Sequence, residues 1–360
     1  MTDAGKLSLD LLWDGDSVKG ADIRSSRPMA AQMLKGKTPE QVLHIVPLLF
    51  SVCGRAQGAA AAAALQAAQQ DGGAAAPAVE RMIVCEAIQE HMWRLMLDWT
   101  TLLGLQREEQ RFARWYALLR KIGAGESEMV DFLREFERDC LGTTVAEWRA
   151  IDSYHALQTW SFKVHSPLAK LLVKLDKMEH GRHRTSGIRL LPAWTATEAG
   201  QVCDGRWDMV FSARPDWLGG PAETGAWTYY ADDSLLHDVW QKSGSRALVR
   251  LLARIMDVAE MARGNTAPRL DVASTMADTG MAVVRTARGL LMHHVRMAAG
   301  QVADYAIVAP TEWNFHPDGA FAQDMRGVAE TDEESLKQLA QIEALSLDPC
   351  VAYEVEIRHA

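Results

Sequence analysis

The sequence predicts a mainly α-helical protein of the α+β class, in which long helices form a central bundle and a few short strands are minor parts. Apolar residues recur at helical spacing through long stretches such as 80–103 and 247–262. Polar and apolar residues alternate, as in strands, only in short segments at 5–14 and 293–309. We find no internal repeat and no convincing linker in the 360 residues, so we expect a single domain over 1–360.

The first elements are predicted from alternation and from capping residues. Lys6 to Trp13 reads as a half-buried strand, and a short helical stretch is expected over 27–36. A longer helix is predicted to begin at Thr38-Pro39-Glu40-Gln41, because Thr38 can cap it, proline suits the first helical position and Gln41 completes a capping box. This helix leads to Cys53 and a glycine turn, after which 58–68 is an alanine-rich helix.

The stretch 80–103 is apolar over much of its circumference, which predicts a central, buried helix. Its polar members, Glu90, His91, Arg94 and Asp98, then need partners, because an unpaired buried charge is costly.

The remaining elements are predicted less sharply. The stretch 181–222 is rich in Gly, Pro and Trp and is expected to be irregular, with a short strand at 188–191. The stretch 293–309 reads as a hairpin that turns at Ala298-Ala299-Gly300. Further helices are expected at 107–122, 127–139, 145–158, 247–262 (amphipathic) and 331–345, the last capped by Thr331 or Asp332.

Composition excludes several classes of protein. A net charge of -9 argues against nucleic-acid binding, which needs a basic face, and no apolar run is long enough to cross a membrane. Because the N-terminus lacks the layout of a signal peptide, we expect a cytoplasmic location. The five cysteines are irregularly spaced without a CxxC pair, so neither a disulfide framework nor a zinc finger is expected; they are Cys53, Cys85, Cys140, Cys203 and Cys350.

Taken singly, Cys53 and Cys350 would be read as small core residues. Considered together and in order with other segments, they resemble the large subunit of [NiFe]-hydrogenases along most of the chain. The segments that carry the resemblance are Leu34-Lys35-Gly36-Lys37 with Pro39, Val52-Cys53-Gly54, Arg81 through His91, Glu223-Thr224-Gly225-Ala226, Ala287-Arg288-Gly289-Leu290, Val308-Ala309-Pro310-Thr311-Glu312-Trp313-Asn314 and Asp348-Pro349-Cys350.

The departures from that family are as informative as the matches. In the family, each cysteine motif supplies two thiolates; here Cys53 and Cys350 keep the first of each pair, while Ala56 and Tyr353 stand at the second positions, which bridge nickel and iron. Nickel in such sites needs soft thiolates, so loss of half of them makes hydrogen turnover unexpected. Other family positions are changed too, since a histidine is replaced by Ala60, another by Glu356 with His359 three residues further on, and a glutamate by Ala4.

The reduced set of cysteines resembles the HupK/HoxV family of hydrogenase accessory proteins. That resemblance implies a maturation scaffold without enzyme activity, which transiently holds an Fe(CN)2(CO) fragment between Cys53 and Cys350, with no nickel and no Fe–S cluster. It implies that Arg288 and Thr311 donate hydrogen bonds to the cyanides, which are anionic acceptors. The rest of the implied pocket is Pro310, Ala309 and Asp348.

The resemblance also implies partners and supporting residues. The partners are a small hydrogenase assembly chaperone with its iron-fragment assembly partner, and a catalytic large subunit as acceptor. Glu90 and Asp348 match carboxylates near the family's metal site. Two roles remain open for them: a salt bridge of one of them with Arg288, or a purely structural role. His91 fits a hydrogen-bonded core histidine better than a ligand, and we hypothesise that Tyr353 fills the volume of the absent nickel and sulfur.

The remaining thiols and imidazoles match no ligand of the family. Cys85, Cys140 and Cys203 are expected to be core or surface thiols. A metal site could also be read into two histidine pairs, of which the second has the surroundings of a solvated loop; they are His293 with His294 and His180 with His183.

Two other functions remain open from the sequence. The chain could be an interaction-only decoy or chaperone that binds assembly factors without metal, although such a decoy need not keep Arg288 and Thr311. It could also be a degenerate enzyme with residual redox activity, against which the missing bridging thiolates weigh heavily.

Overall fold

Helices and three small β-sheets make up the computed structural model, which describes residues 5–28, 30–50, 52–70, 73–179, 186–203 and 205–359. The predicted α+β class, mainly helical with short strands, is confirmed. The strands are β1 (Lys6–Trp13), β2 (Val18–Ser25), β3 (Arg189–Leu190), β4 (Ala222–Glu223), β5 (Leu270–Met276), β6 (Thr279–Thr286), β7 (Gly289–Ala298), β8 (Gln301–Val308) and β9 (Ala352–His359).

Most of the chain length lies in helices, which include one 3-10 segment (Ala30–Leu34) and two π-helical turns (Arg94–Asp98 and Glu137–Leu141). The α-helices are α1 (Pro39–Leu49), α2 (Gly54–Ala68), α3 (Pro77–Trp93), α4 (Trp99–Leu102), α5 (Glu109–Ala124), α6 (Met129–Phe136), α7 (Val145–Arg149), α8 (Tyr154–Lys163), α9 (Pro167–Glu179), α10 (Ala196–Val202), α11 (Met209–Ala213), α12 (Ala226–Tyr229), α13 (Ser234–Ser243), α14 (Arg246–Ala262), α15 (Pro310–Asn314), α16 (Ala320–Met325) and α17 (Glu333–Leu347).

The first sheet joins the two ends of the described chain. Its strand order is β2-β1-β9, with β2 antiparallel and β9 parallel to β1. The predicted strand Lys6–Trp13 is confirmed, and its buried face packs with residues of α16 and α17. Strand β9 was not foreseen; it begins two residues after Cys350 and pairs Ala352 with Lys6, so the N-terminal strand fixes where the Cys350 loop ends.

The second sheet has the order β5-β6-β7-β8 and is antiparallel throughout. The predicted hairpin is its β7–β8 pair, and the turn residues Ala299 and Gly300 both have positive φ. Strands β5 and β6 were not predicted, because both faces of β6 are buried and its sequence does not alternate. One face of the sheet packs on α2, and the other packs on a cluster around Trp313.

Helix α2 approaches this sheet closely because its side chains are nearly all methyl groups. Ala64 and Ala68 face Gly280 of β6, where an added Cβ would lie 1.9 Å from the Ala64 oxygen and 2.6 Å from the Ala68 nitrogen. The alanine-rich composition therefore sets the distance between α2 and the sheet, and with it the position of Cys53 at the start of α2.

The helical core surrounds α3 and α14. The predicted long helix is present but begins at Pro77 and passes through the π-helical turn Arg94–Asp98 into α4. The helix predicted at 247–262 is present as α14 with its amphipathic pattern, but its polar face is not exposed to solvent, since every residue of α14 is buried. Its arginines lie in buried ion pairs, which is why polar side chains do not mark a solvent face here.

Other predicted boundaries hold or shift for local reasons. The capping box of Thr38 and Gln41 is present, and Asp332 caps α17. The single helix expected at 145–158 is two helices, α7 and α8, because Ser153 caps a new start. The stretch 181–222 is not irregular throughout, since its described part contains α10, α11, β3 and the first residue of β4. No helix in the described ranges combines the length and apolarity needed to cross a membrane.

We predict that Gly280→Ala destabilises the protein, because the new methyl would overlap the α2 backbone and force α2 away from the sheet. Overpacking of this kind costs about 3 kcal/mol. Urea unfolding followed by far-UV circular dichroism measures the change. Gly20→Ala is the matched control, since Gly20 also lies in a strand and has nothing within 4 Å of an added Cβ; equal midpoints for the two variants would contradict the prediction.

Candidate functional site

Cys53 and Cys350 come from opposite ends of the chain and lie near each other. Cys53 is the residue before α2, and Cys350 lies in the short connection between α17 and β9. Both are half-buried, whereas Cys85, Cys140 and Cys203 are fully buried core residues. The charge of Cys350 contributes to the pKa of Cys53, which places the two thiols within electrostatic reach.

The surroundings of Cys53 favour its neutral thiol. Burial raises its pKa far above the ordinary value, the charges of Glu90 and Cys350 raise it further, and Arg288 opposes them. The Gln57 amide nitrogen lies 3.7 Å from Sγ, and its amide oxygen is 2.8 Å from Nε2 of His293.

Helix α2 begins at this site with its backbone held by a buried carboxylate. Glu86 Oε1 and Oε2 accept hydrogen bonds from the N–H groups of Arg55 (2.9 Å) and Ala56 (2.8 Å). The first N–H groups of a helix have no partner within the helix itself, and a negative charge is favourable at the positive end of the helix dipole. Glu86 therefore fixes the first turn of α2, next to Cys53.

Cys350 is held by the start of α15. The Thr311 hydroxyl donates to Cys350 Sγ at 3.1 Å and accepts from the Cys350 backbone N–H at 3.3 Å. Pro310 is the first residue of α15 and Ala309 precedes it; both are buried. The hydroxyl expected to face an iron-bound cyanide thus lies against the sulfur itself.

Arg288 is buried beside the cysteine pair and joins two carboxylates. Its NH1 group forms an ion pair with Glu90, and its Nε lies 3.3 Å from Asp348 Oδ1. Both carboxylates named from the sequence thus lie against Arg288. Burial alone would lower the pKa of Arg288, but Asp348, Glu90 and the two cysteines raise it above the ordinary value.

Two buried polar atoms next to the cysteines have no hydrogen-bond partner within the described part of the chain. They are Glu90 Oε1 and Arg288 Nε. Burial raises the pKa of Glu90 to about 7 despite the opposing effect of Arg288. Unsatisfied buried groups are rare in folded proteins and indicate a water, an ion or a ligand.

Asp348 is the point where three arginines meet. Its carboxylate accepts from Arg94 Nε at 2.6 Å and from Arg254 NH1 at 2.7 Å, in addition to the contact with Arg288. Asp348 ends α17 in the left-handed conformation, with φ of 55°. Burial would raise its pKa, but the three guanidiniums hold it well below the ordinary range.

A row of buried ion pairs continues away from Asp348 along α14. Arg250, one turn before Arg254, contacts Glu223, Asp324 and Glu343 at 2.6 to 2.8 Å. Each buried guanidinium therefore has carboxylate partners, as burial of charge requires.

The histidines of the site region are structural. His91 is fully buried, with Nε2 2.9 Å from Asp257 Oδ2, as expected for a hydrogen-bonded core histidine. His293 bonds Gln57 and Tyr305, and burial lowers its pKa to about 3. His294 stacks on Trp207 at 4.8 Å between ring centroids. His180 and His183 lie outside the described residues, as does Ala4.

The two positions where bridging cysteines are missing differ in their surroundings. Ala56 is buried in the first turn of α2. Tyr353 is half-buried in β9, opposite Leu7, and burial raises its pKa to about 12. The charges of Asp98 and Asp348 also raise the pKa of Tyr353, and Arg94 opposes them.

Two other substituted family positions, Ala60 and Glu356, lie in α2 and β9, and His359 is the last residue of β9. Ala60 is buried in the core of α2, and Glu356 is exposed on β9. His359 is exposed, 3.4 Å from Glu333.

Sequence reasoning missed Gln57, Glu86, Arg254 and Arg27. A signal existed for Arg254, because Arg246, Arg250 and Arg254 recur every fourth residue on an otherwise apolar helix, which indicates a buried ladder rather than a solvent face. Nothing in the sequence pairs Glu86 with the start of α2. Within the described ranges no group of three or more His, Cys, Asp or Glu side chains is placed to hold a metal ion.

Residues 239–355 match the family model for nickel-dependent hydrogenases. The chain is 33% identical to the hydrogenase expression/formation protein HoxV of Cupriavidus necator, covering 99% of this chain and 97% of HoxV. It is 30% identical to the hydrogenase expression/formation protein HupK of Azotobacter vinelandii, covering 99% of this chain and 100% of HupK.

Solved structures show the same fold. The as-isolated oxidised Ni-Fe-Se hydrogenase of Desulfovibrio vulgaris Hildenborough aligns over 94% of both chains with a TM-score of 0.58 and 14% identity. The reduced Ni-Fe-Se hydrogenase of Desulfomicrobium baculatum aligns over 94% of this chain and 95% of its own, with a TM-score of 0.54 and 12% identity. The hydrogenase large-subunit-like fold expected from the motifs is thereby confirmed.

We predict that Asp348→Asn lowers the free energy of unfolding by about 3–5 kcal/mol, because it leaves buried guanidiniums without their carboxylate. Chemical denaturation measures this loss. The control is Glu354→Gln, which removes an exposed ion pair with Lys6 and is expected to cost less than about 1 kcal/mol. A loss no larger than that of the control would contradict the assignment of Asp348 as the central counter-charge.

Acid stability should depend on the same residue. The folded-state pKa of Asp348 is depressed, so its stabilisation is present above the ordinary carboxyl pKa near 4 and is lost as the pH falls below it. We expect Asp348→Asn to flatten the loss of stability on acidification below about pH 4 relative to the unsubstituted protein. Denaturation midpoints measured from pH 6 to pH 2 test this, and parallel curves for both proteins would refute it.

Proposed function

This chain belongs to the family of hydrogenase expression/formation proteins that includes HoxV and HupK, and from that premise we propose that it is a scaffold in hydrogenase maturation. It transiently holds an Fe(CN)2(CO) fragment between Cys53 and Cys350 and then passes it to a catalytic large subunit. The observation that carries this proposal is a pair of half-buried cysteines within electrostatic reach of each other and of Arg288, with the Thr311 hydroxyl against Cys350.

The two sulfurs supply the protein ligands of the iron. Thiolate, not thiol, binds metal, and burial keeps Cys53 protonated in the empty protein, so loading releases a proton. Because cyanide and carbon monoxide already occupy positions on the iron, two protein ligands are enough to hold it.

Arg288 and Thr311 recognise the cyanide nitrogens. Arg288 is buried, and its guanidinium has five N–H donors, more than its contacts with Glu90 and Asp348 use, so a donor remains for an anionic acceptor. The Thr311 hydroxyl can rotate from Cys350 Sγ to a cyanide, since its bond to sulfur is a weak one. Asp348 and Glu90 keep the Arg288 guanidinium in place.

The same geometry argues against nickel and against hydrogen turnover. A nickel–iron pair needs bridging thiolates at the positions of Ala56 and Tyr353, and neither side chain is a soft ligand. We therefore assign this protein no nickel, no Fe–S cluster and no catalytic residue.

A large subunit has the two bridging cysteines that this chain lacks at Ala56 and Tyr353, and we propose that the fragment passes to those thiolates. We propose a small hydrogenase assembly chaperone and its iron-fragment assembly partner as donors, and the catalytic large subunit as acceptor.

We predict that the protein, purified without oxygen from cells that contain the assembly machinery, shows infrared bands of CN and CO stretching and bound iron. Cys53→Ser and Cys350→Ser should each remove most of the bands, because one thiolate cannot hold the fragment. Cys203→Ser is the matched control, since Cys203 is buried in a separate cluster and should keep both bands and iron.

An iron-free protein without these bands, prepared beside its assembly partners, would overturn the scaffold proposal. If such a protein still formed complexes with the assembly factors, the interaction-only alternative would hold instead.

A further inference from the structure

An ion pair that the proposed function does not use lies on the outer side of the cysteine pair. Arg27 NH1 pairs with Glu312, and the two side chains are 15% and 20% exposed. Glu312 directly follows Thr311, whose hydroxyl contacts Cys350 Sγ. Arg27, Ala309, Thr311 and Glu312 line one cleft of about 620 Å³.

Arg27 is within electrostatic reach of both cysteines. Glu312 raises the pKa of Arg27 above its ordinary value, and Cys350 and Cys53 raise it further. Arg288 acts on the same two cysteines but is buried and engaged by Glu90 and Asp348. The cysteines therefore lie within electrostatic reach of two guanidiniums: the inner one, Arg288, is held by two carboxylates, and the outer one, Arg27, lines a cleft.

One carboxylate oxygen of Glu312 takes no part in the ion pair with Arg27. Glu312 Oε2 is buried and has no hydrogen-bond partner in the described part of the chain, so Glu312 holds Arg27 through its other oxygen. A second cation in the cleft, Lys35, pairs with Asp304 at 2.6 Å, but those side chains are 48% and 41% exposed. Charges screened less by water act more strongly, which singles out Arg27.

We propose that Arg27 is an anion-binding residue of this cleft, held by Glu312 until an anionic metal–cyanide group bound at the cysteines draws it away. The identity of this anion rests on the proposed function: two cyanides and two thiolates outweigh the charge of one iron(II), so a loaded site is anionic. Loading thus adds negative charge at the cysteines, and Arg27 moves from Glu312 to the cargo.

The electrostatic effect of Arg27 on Cys53 and Cys350 can be measured on the full-length protein without iron. Iodoacetate and iodoacetamide both transfer their substituted methyl group to a thiolate sulfur and release iodide, but only iodoacetate is an anion. Because both attack the same thiolate, the ratio of their rates at one pH cancels the thiolate fraction and reports the local charge. Mass spectrometry of the Cys53 and Cys350 peptides gives the rates, and the other three cysteines are buried.

We predict that Arg27→Gln lowers the iodoacetate-to-iodoacetamide ratio at these cysteines by about fivefold or more, while Arg27→Lys keeps most of it. The matched control, Lys35→Gln, removes one positive charge from the same cleft and should leave the ratio within about twofold, because that pair is exposed. An unchanged ratio in Arg27→Gln would overturn the proposal.

The Glu312→Gln variant tests whether Arg27 exchanges its ion pair with Glu312 for an anion at the cysteines. This variant should raise the ratio in the unsubstituted background and have little effect in the Arg27→Gln background, because the gain comes from freeing Arg27. Equal increments in both backgrounds would mean that Glu312 acts only as a distant charge and would refute the exchange. Arg27→Lys and Glu312→Gln keep the test decisive even if Arg27→Gln does not fold.

Infrared spectra separate this inference from the proposed function. In loaded protein, Arg27→Gln should shift the CN bands and lower iron retention, and Glu312→Gln should raise retention. CN bands and iron retention that are identical in Arg27→Gln and unsubstituted protein would overturn the role of Arg27 and leave the scaffold intact. Absence of bands in unsubstituted protein would overturn the scaffold and the metal–cyanide cargo, whereas the alkylation ratios would still decide whether Arg27 binds anions.

Discussion

The site depends on the ion pairs that the Asp348 carboxylate forms with three arginines. Arg94, Arg254 and Arg288 come from three different segments, and all of them approach this one buried group. A buried guanidinium is stable only with a counter-charge, so the three segments can pack together only when Asp348 lies between them. Asp348 is also two residues from Cys350, which means that the packing of the helical core fixes a cysteine.

The two sheets supply the other half of the positioning. The β1–β9 pairing fixes the chain just after Cys350, and the close contact of α2 with Gly280 fixes the helix that starts after Cys53. Neither cysteine depends on a long free loop. Cys53 adjoins a helix that packs on a sheet, and Cys350 lies two residues before a strand that pairs with β1, which is how a site built from residues far apart in sequence keeps its geometry.

Charge is distributed unevenly about the two sulfurs. On the inner side, Arg288 is shared by Glu90 and Asp348, and burial keeps both Glu90 and Cys53 biased toward their neutral forms. On the outer side, the less buried pair of Arg27 and Glu312 lines the cleft. The surroundings of Cys53 thus favour its protonated thiol, and in the proposed function metal loading replaces that proton.

Sequence information was sufficient for the elements whose signals are local. Alternation, capping residues and a glycine turn act over a few residues, and they are enough to predict strand Lys6–Trp13, the capped starts of α1 and α17 and the β7–β8 hairpin. The motifs around Cys53, Arg288, Thr311 and Cys350 likewise indicated the family and the fold, because their order and spacing are visible without coordinates.

Only the tertiary structure revealed the partners. Helix α14 has an amphipathic pattern but is buried all round, because its arginines find carboxylates that lie far along the chain, such as Glu223 and Asp348. Strand β9 pairs with β1 across the whole length of the protein, and Glu86 caps α2 from another helix. Such contacts depend on which distant groups share a low-dielectric interior, where each charge must be compensated, and no local pattern encodes that choice.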